Sequence, residues 1–119
     1  MTTTIRGASG APDSFLGTAG VDVIALQNQS DATFLGARQS SDTVTFTSFT
    51  GLVSNYSLYG GQGNDTLTAN AATALSNSFV AQNDGNDTIT LNAVSSSTIQ
   101  GNDGNDVITT NGAVTSALL

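Results

Sequence analysis

Gly60-Gly61-Gln62-Gly63-Asn64-Asp65-Thr66-Leu67-Thr68 fits the nonapeptide G-G-x-G-x-D-x-U-x, with U apolar, at every fixed position. The phrase returns with variations as Gln82-Asn83-Asp84-Gly85-Asn86-Asp87-Thr88-Ile89-Thr90 and as Gly101-Asn102-Asp103-Gly104-Asn105-Asp106-Val107-Ile108-Thr109. Weaker copies are Gly17-Thr18-Ala19-Gly20-Val21-Asp22-Val23-Ile24-Ala25 and Ala37-Arg38-Gln39-Ser40-Ser41-Asp42-Thr43-Val44-Thr45. Aligned on the sixth position, the aspartates are Asp22, Asp42, Asp65, Asp87 and Asp106, at spacings of 20, 23, 22 and 19 residues. The repeat is therefore about 21 residues long.

Glycine at the first and fourth positions lets the backbone turn tightly with its carbonyls facing inward, and the aspartate adds a carboxylate. A hard divalent cation such as Ca2+ takes about 6–8 oxygens of this mixed kind, more than one turn provides, so a site needs two turns stacked on each other. After the aspartate, Thr66-Leu67-Thr68 and Thr88-Ile89-Thr90 alternate polar and apolar with β-branched residues, the pattern of a strand with one face buried. Seven positions before each aspartate stands an apolar residue (Phe15, Leu35, Leu58, Val80, Ile99), and two positions after it another (Ile24, Val44, Leu67, Ile89, Ile108). Each coil thus offers two short strands, separated by the Gly/Asp turn on one edge. A variable Asn/Ser/Thr/Ala segment separates them on the other, the longest insertion, from Thr47 to Tyr56, reading as a loop.

These nonapeptides resemble the RTX (repeats-in-toxin) proteins, secreted calcium-binding proteins whose repeats wind into a parallel β-roll. The resemblance implies an all-β fold, a parallel β-roll or β-solenoid of about five coils with two short strands per coil. It places an opening coil at 1–16, with Ser14-Phe15-Leu16 as its strand, repeats over 17–112 and an open C-terminal edge at 113–119, in one domain. It also implies Ca2+, held by the carboxylates of Asp65, Asp87 and Asp106 with backbone carbonyls around Gly60, Gly63, Gly85, Gly101 and Gly104. Asp22 with Gly17 and Gly20 would form a further site. Asp84 and Asp103, at the third position of their turns, contribute either oxygens or only surface charge. The copy at 37–45 departs most. Ala37 and Ser40 replace both glycines there, and Arg38 either places a guanidinium where a cation would bind or is a solvated side chain. Calcium is accordingly not expected beside Asp42.

The 119 residues include nine Asp, no Glu, two Arg and no Lys, His, Cys or Trp, a net charge of −7. That balance argues against nucleic acid and anionic membranes, which call for basic patches. About three bound Ca2+ would bring the sum close to neutral, so the ions act as counter-charges as well as staples. Without His, Cys or Lys, the usual bases and nucleophiles are missing, and the aspartates are accounted for by the repeat. No enzyme is expected. No apolar run is long enough to span a membrane. The first residues, Met1-Thr2-Thr3-Thr4-Ile5-Arg6, lack a cleavable signal. Either the chain is mature, or it is exported through an uncleaved C-terminal signal, as the resemblance implies; Ala113 to Leu119 is compatible with the latter.

Two functions follow. Coil edges at 4–16 and 113–119 that expose apolar residues and unpaired backbone would join copies head to tail, giving an extracellular filament, matrix or surface layer with no partner but the chain itself. Alternatively, the pairs Thr43/Thr45, Thr66/Thr68 and Thr88/Thr90 form an outward ladder like those of ice-binding proteins, in a monomeric ice-binding or adhesive module. A calcium-binding fragment of a larger RTX protein would look the same.

Overall fold

The computed structural model describes residues 14–16, 18–27, 34–47 and 52–119. All of its regular elements are strands. The first coil contributes β1 (Ser14–Leu16) and β2 (Val23–Gln27); the second β3 (Phe34–Gln39), β4 (Thr43–Thr47) and β5 (Leu52–Ser54). The third carries β6 (Ser57–Gln62) and β7 (Thr66–Ser76), the fourth β8 (Phe79–Asp84) and β9 (Thr88–Ser95). The fifth carries β10 (Thr98–Asp103), β11 (Val107–Thr110) and β12 (Val114–Thr115).

Strands stack level on level in parallel: β1-β3-β6-β8-β10 form one sheet and β2-β4-β7-β9-β11 the other. The expected all-β parallel solenoid is the fold. About three turns, residues 57–119, are described without interruption, against the five coils expected; the two earlier levels are described in part.

The register follows the aligned sequence. Leu35 pairs with Leu58, Leu58 with Val80, and Val80 with Ile99; in the facing sheet Ile24 pairs with Val44, Val44 with Leu67, Leu67 with Ile89, and Ile89 with Ile108. Parallel pairing at one register puts like residues over like, so two apolar columns meet inside the coil. Ile24, Val44, Leu58, Leu67, Val80, Ile89 and Ile99 are buried, and Ile108 packs against them half-buried. The Phe15 and Leu35 side chains lie outside the described residues.

One expectation is corrected. From the second coil on, the variable edge also carries a short run of pairing, which lies within β7 and β9 in the third and fourth coils: Leu52–Ser54 pairs with Ala74–Ser76, which pairs with Ala93–Ser95, which pairs with Val114 and Thr115. Part of the presumed loop before Tyr56 is therefore strand. Leu75 and Val94 bury a third wall of the core this way. A bulge between Ala69 and Ala74 absorbs the extra residues of the third coil. The corner that follows uses Asn55, Asn77, Ser96 and Ser116, all at positive φ, where Asn and other short polar residues are the non-glycine types best tolerated. Beside it the Ser78 hydroxyl accepts the Tyr56 N–H (3.1 Å) and the Ser97 hydroxyl accepts the Ser78 N–H (3.0 Å).

Candidate metal centre

The opposite corner holds the repeated turns. There the sixth-position aspartates form a continuous column. The Asp22 N–H donates to Asp42 Oδ1 (2.7 Å), the Asp42 N–H to Asp65 Oδ1 (2.8 Å), the Asp65 N–H to Asp87 Oδ1 (2.7 Å) and the Asp87 N–H to Asp106 Oδ1 (2.9 Å). Every carboxylate in this chain of bonds closes the turn of the coil before it. The carboxylates point inward because position one leaves them room: a Cβ built on Gly101 would fall on the Asp106 side chain.

Only half of each carboxylate is used. Asp42, Asp65 and Asp87 are buried, and their Oδ2 atoms accept no hydrogen bond. A buried anionic oxygen without a donor is costly, and a cation is the group that satisfies it. Burial pushes the Asp65 carboxyl up to about 6, the Asp42 N–H pulling it back and the charges of Asp87 and Asp42 adding to the rise. Burial raises Asp42 and Asp87 as well. Each is opposed by the N–H it accepts; Asp22 reinforces the rise at Asp42, and Asp106 and Asp84 at Asp87.

Outside the aspartates runs a second ladder. The Asn64 side-chain oxygen accepts the Asn86 N–H (2.9 Å), and that of Asn86 accepts the Asn105 N–H (2.9 Å). The Ser41 hydroxyl serves Asn64 in the same way at 3.2 Å. Asparagine at the fifth position of all three full copies was the available signal for it. Between the ladders the fourth-position residues stack backbone on backbone. Gly63, Gly85 and Gly104 have φ of 126°, 133° and 130°, and the carbonyl of each of the first two lies against the Cα of the next. Turn carbonyls are thus stacked one over the next along this corner.

The predicted residues divide clearly. Asp65, Asp87, Asp106, Gly60, Gly63, Gly85, Gly101 and Gly104 come together along one corner. Asp84 and Asp103 stand in register with exposed side chains, and their backbone carbonyls accept the Gly63 and Gly85 N–H groups (both 2.9 Å). Asp22 is in the column, but the Thr18 N–H (2.5 Å) and hydroxyl (3.2 Å) already occupy its carboxylate. Gly20 is exposed, without positive φ, and Gly17 lies outside the described residues. Asp42, beside which calcium is not expected from the sequence, has the same burial and free Oδ2 as Asp65 and Asp87. Ser40 also has a positive φ there, 76° against 126°, 133° and 130° for Gly63, Gly85 and Gly104. The Arg38 side chain lies outside the described residues.

Among the described residues no three His, Cys, Asp or Glu side chains converge. Each level offers one sixth-position carboxylate together with turn carbonyls, a donor set that suits a hard cation and not a soft one. The fold is a parallel β-roll. The RTX calcium-binding nonapeptide repeat matches the chain in four copies, over residues 57–72 and 96–113, and repeats of this kind bind calcium. No curated protein and no solved structure matches it. The copy at 82–90 lies between the two matched spans, stacked in register on 60–68.

Proposed function

We propose that this calcium-binding β-roll serves a structural role outside the cell and lengthens by stacking copies end to end. The ions lie along the aspartate column, held by Asp65, Asp87 and Asp106 with carbonyls around Gly60, Gly63, Gly85, Gly101 and Gly104, and Asp42 joins them. Asp22, already bonded by Thr18, is the weakest member. The observation that carries the reading is the row of buried, unpartnered Oδ2 atoms on Asp42, Asp65 and Asp87. When bound, calcium neutralises this row and ties adjacent coils together.

Circular dichroism with chelator and then excess calcium tests it. Strand signal should fall on chelation and return with the ion; full strand signal with no bound ion would refute it. Support for end-to-end stacking comes from the fifth coil, where Val107, Val114, Leu118 and Leu119 are exposed beside strand edges. Electron microscopy with calcium should show polymers, and a uniformly monomeric preparation at high concentration would rule them out.

The threonine ladder favours a second reading. Thr43, Thr66 and Thr88 stack in one column, and Thr45, Thr68, Thr90 and Thr109 in another. Thermal hysteresis in a monomeric preparation would support ice binding instead. Repeats of this kind are typical of secreted proteins, and no helix among the described residues is long and apolar enough to cross a membrane.

A further inference from the structure

The copy at 82–90 has glutamine where the repeat has glycine, and that side chain is not on the surface. Gln82 lies opposite Gly60 in the β6–β8 pairing and is 4% exposed. Its amide runs inward, into the space on the inner side of Gly60. A Cβ placed on Gly60 would be 2.5 Å from Gln82 Oε1, 2.9 Å from the Gln82 carbonyl oxygen and closer still to Asp65 Oδ2. Three oxygens from two coils therefore converge beside a residue with no side chain of its own.

One of them, Asp65 Oδ2, is buried and accepts no hydrogen bond. The Gln82 side-chain oxygen and Asp65 Oδ2 thus border the same small space beside Gly60, both as acceptors, and a cation between them would satisfy both. The group beside Gly101 differs, because the three nearest atoms there all belong to Asp106.

We propose that Gln82 is a calcium ligand, giving its side-chain oxygen to the ion held by Asp65 and so forming a site unlike those made of turn carbonyls and aspartate alone. The inference rests on the reading that the aspartate column binds calcium. The substitution thus adds a ligand where a glycine would have left only space. Ca2+ accepts neutral amide oxygens at about 2.3–2.6 Å, and its affinity follows the number and charge of the ligands.

Calorimetric titration of the metal-stripped chain with Ca2+ tests this, using Gln82→Met and Gln82→Glu. Methionine keeps the length and removes the oxygen; one ion should bind roughly tenfold more weakly while the others bind as before. Glutamate keeps the oxygen and adds charge, and the same ion should bind roughly tenfold more tightly. If the unsubstituted chain binds calcium and Gln82→Met titrates identically, Gln82 is not a ligand. Tighter binding by Gln82→Met would show that the amide nitrogen occupies the carboxylate as a plug, which also overturns the proposal. Should the methionine variant lose its strand signal, Gln82→Glu decides alone, unchanged affinity refuting the assignment. A parent chain that binds no calcium at all would instead refute the reading of the column, and the role of Gln82 with it.

Discussion

Gly85→Ala and Gly20→Ala make the same chemical change at the same position of the repeat, and the structure predicts opposite consequences. At Gly85 a Cβ would lie 2.6 Å from the Gly63 carbonyl carbon and nearer still to its oxygen, whereas ordinary contact begins at 3.4 Å. The carbon alone requires the coils to part by about 0.8 Å and the nearer oxygen by more, which stretches bonds such as Asn86 N–H to Asn64 Oδ1 and Gly63 N–H to Asp84 O, both 2.9 Å, past useful length. Two hydrogen bonds at about 1 kcal/mol each, with about 1–3 kcal/mol for alanine at φ 133°, give a loss of roughly 3–5 kcal/mol. At Gly20 the nearest atom is Thr18 Oγ1 at 3.8 Å and φ is ordinary, so the change should stay within about 0.5 kcal/mol. Urea unfolding in excess calcium measures both. Equal midpoints for the two variants would show that the fourth-position residues do not stack backbone to backbone, and the alignment of turns would fail with them.

Acidity should act in opposite directions on the bare and loaded protein. Because the folded Asp65 carboxyl is raised to about 6, its contribution to metal-free stability is full below the unfolded value near 4 and lost as pH rises through 6. In chelator, strand signal lost at pH 7 should therefore be partly recovered toward pH 4.5, Asp65 alone adding at most about 2 kcal/mol in stability, while calcium affinity falls over the same window because protons compete. A flat apo profile would contradict the buried charge. Asp65→Asn keeps an oxygen for the Asp42 N–H and removes that charge, so it should stabilise the chelated protein by about 1–3 kcal/mol and weaken calcium binding in titration. Asn86→Ala removes the acceptor of the Asn105 N–H on the exposed ladder and should cost only about 1 kcal/mol in a denaturant midpoint, with calcium binding little changed.

The strands, the two inner columns and the aspartate corner were legible because parallel stacking converts sequence spacing into contact: whatever recurs at a fixed offset from the aspartate ends up in one column. Leu58, Val80 and Ile99 needed nothing further. The third wall escaped because Asn70-Ala71-Ala72-Thr73-Ala74 has neither alternation nor bulk, and its pairing depends on the neighbouring coil. The corner at Asn55, Asn77 and Ser96 belongs to the same class, recognisable only once Ser78 and Ser97 are seen to cap it. The burial of Asp42 was not legible from the residues around it, since its carboxylate is fixed by the Asp22 N–H of the neighbouring coil. Gln82 read as a degenerate glycine because a sequence shows that a side chain was added and not where it points.

The direction of the aspartate bonds gives the stack a sense, like a rod with unlike poles. Each N–H in the column donates toward the following coil, so the leading face of any coil presents an acceptor and its trailing face a donor. Two such rods continue this column only head to tail. Last coil to last coil, the column would set donor against donor. Any lengthening that keeps the column unbroken, by further repeats or by further copies, inherits a single direction from the first pair of coils.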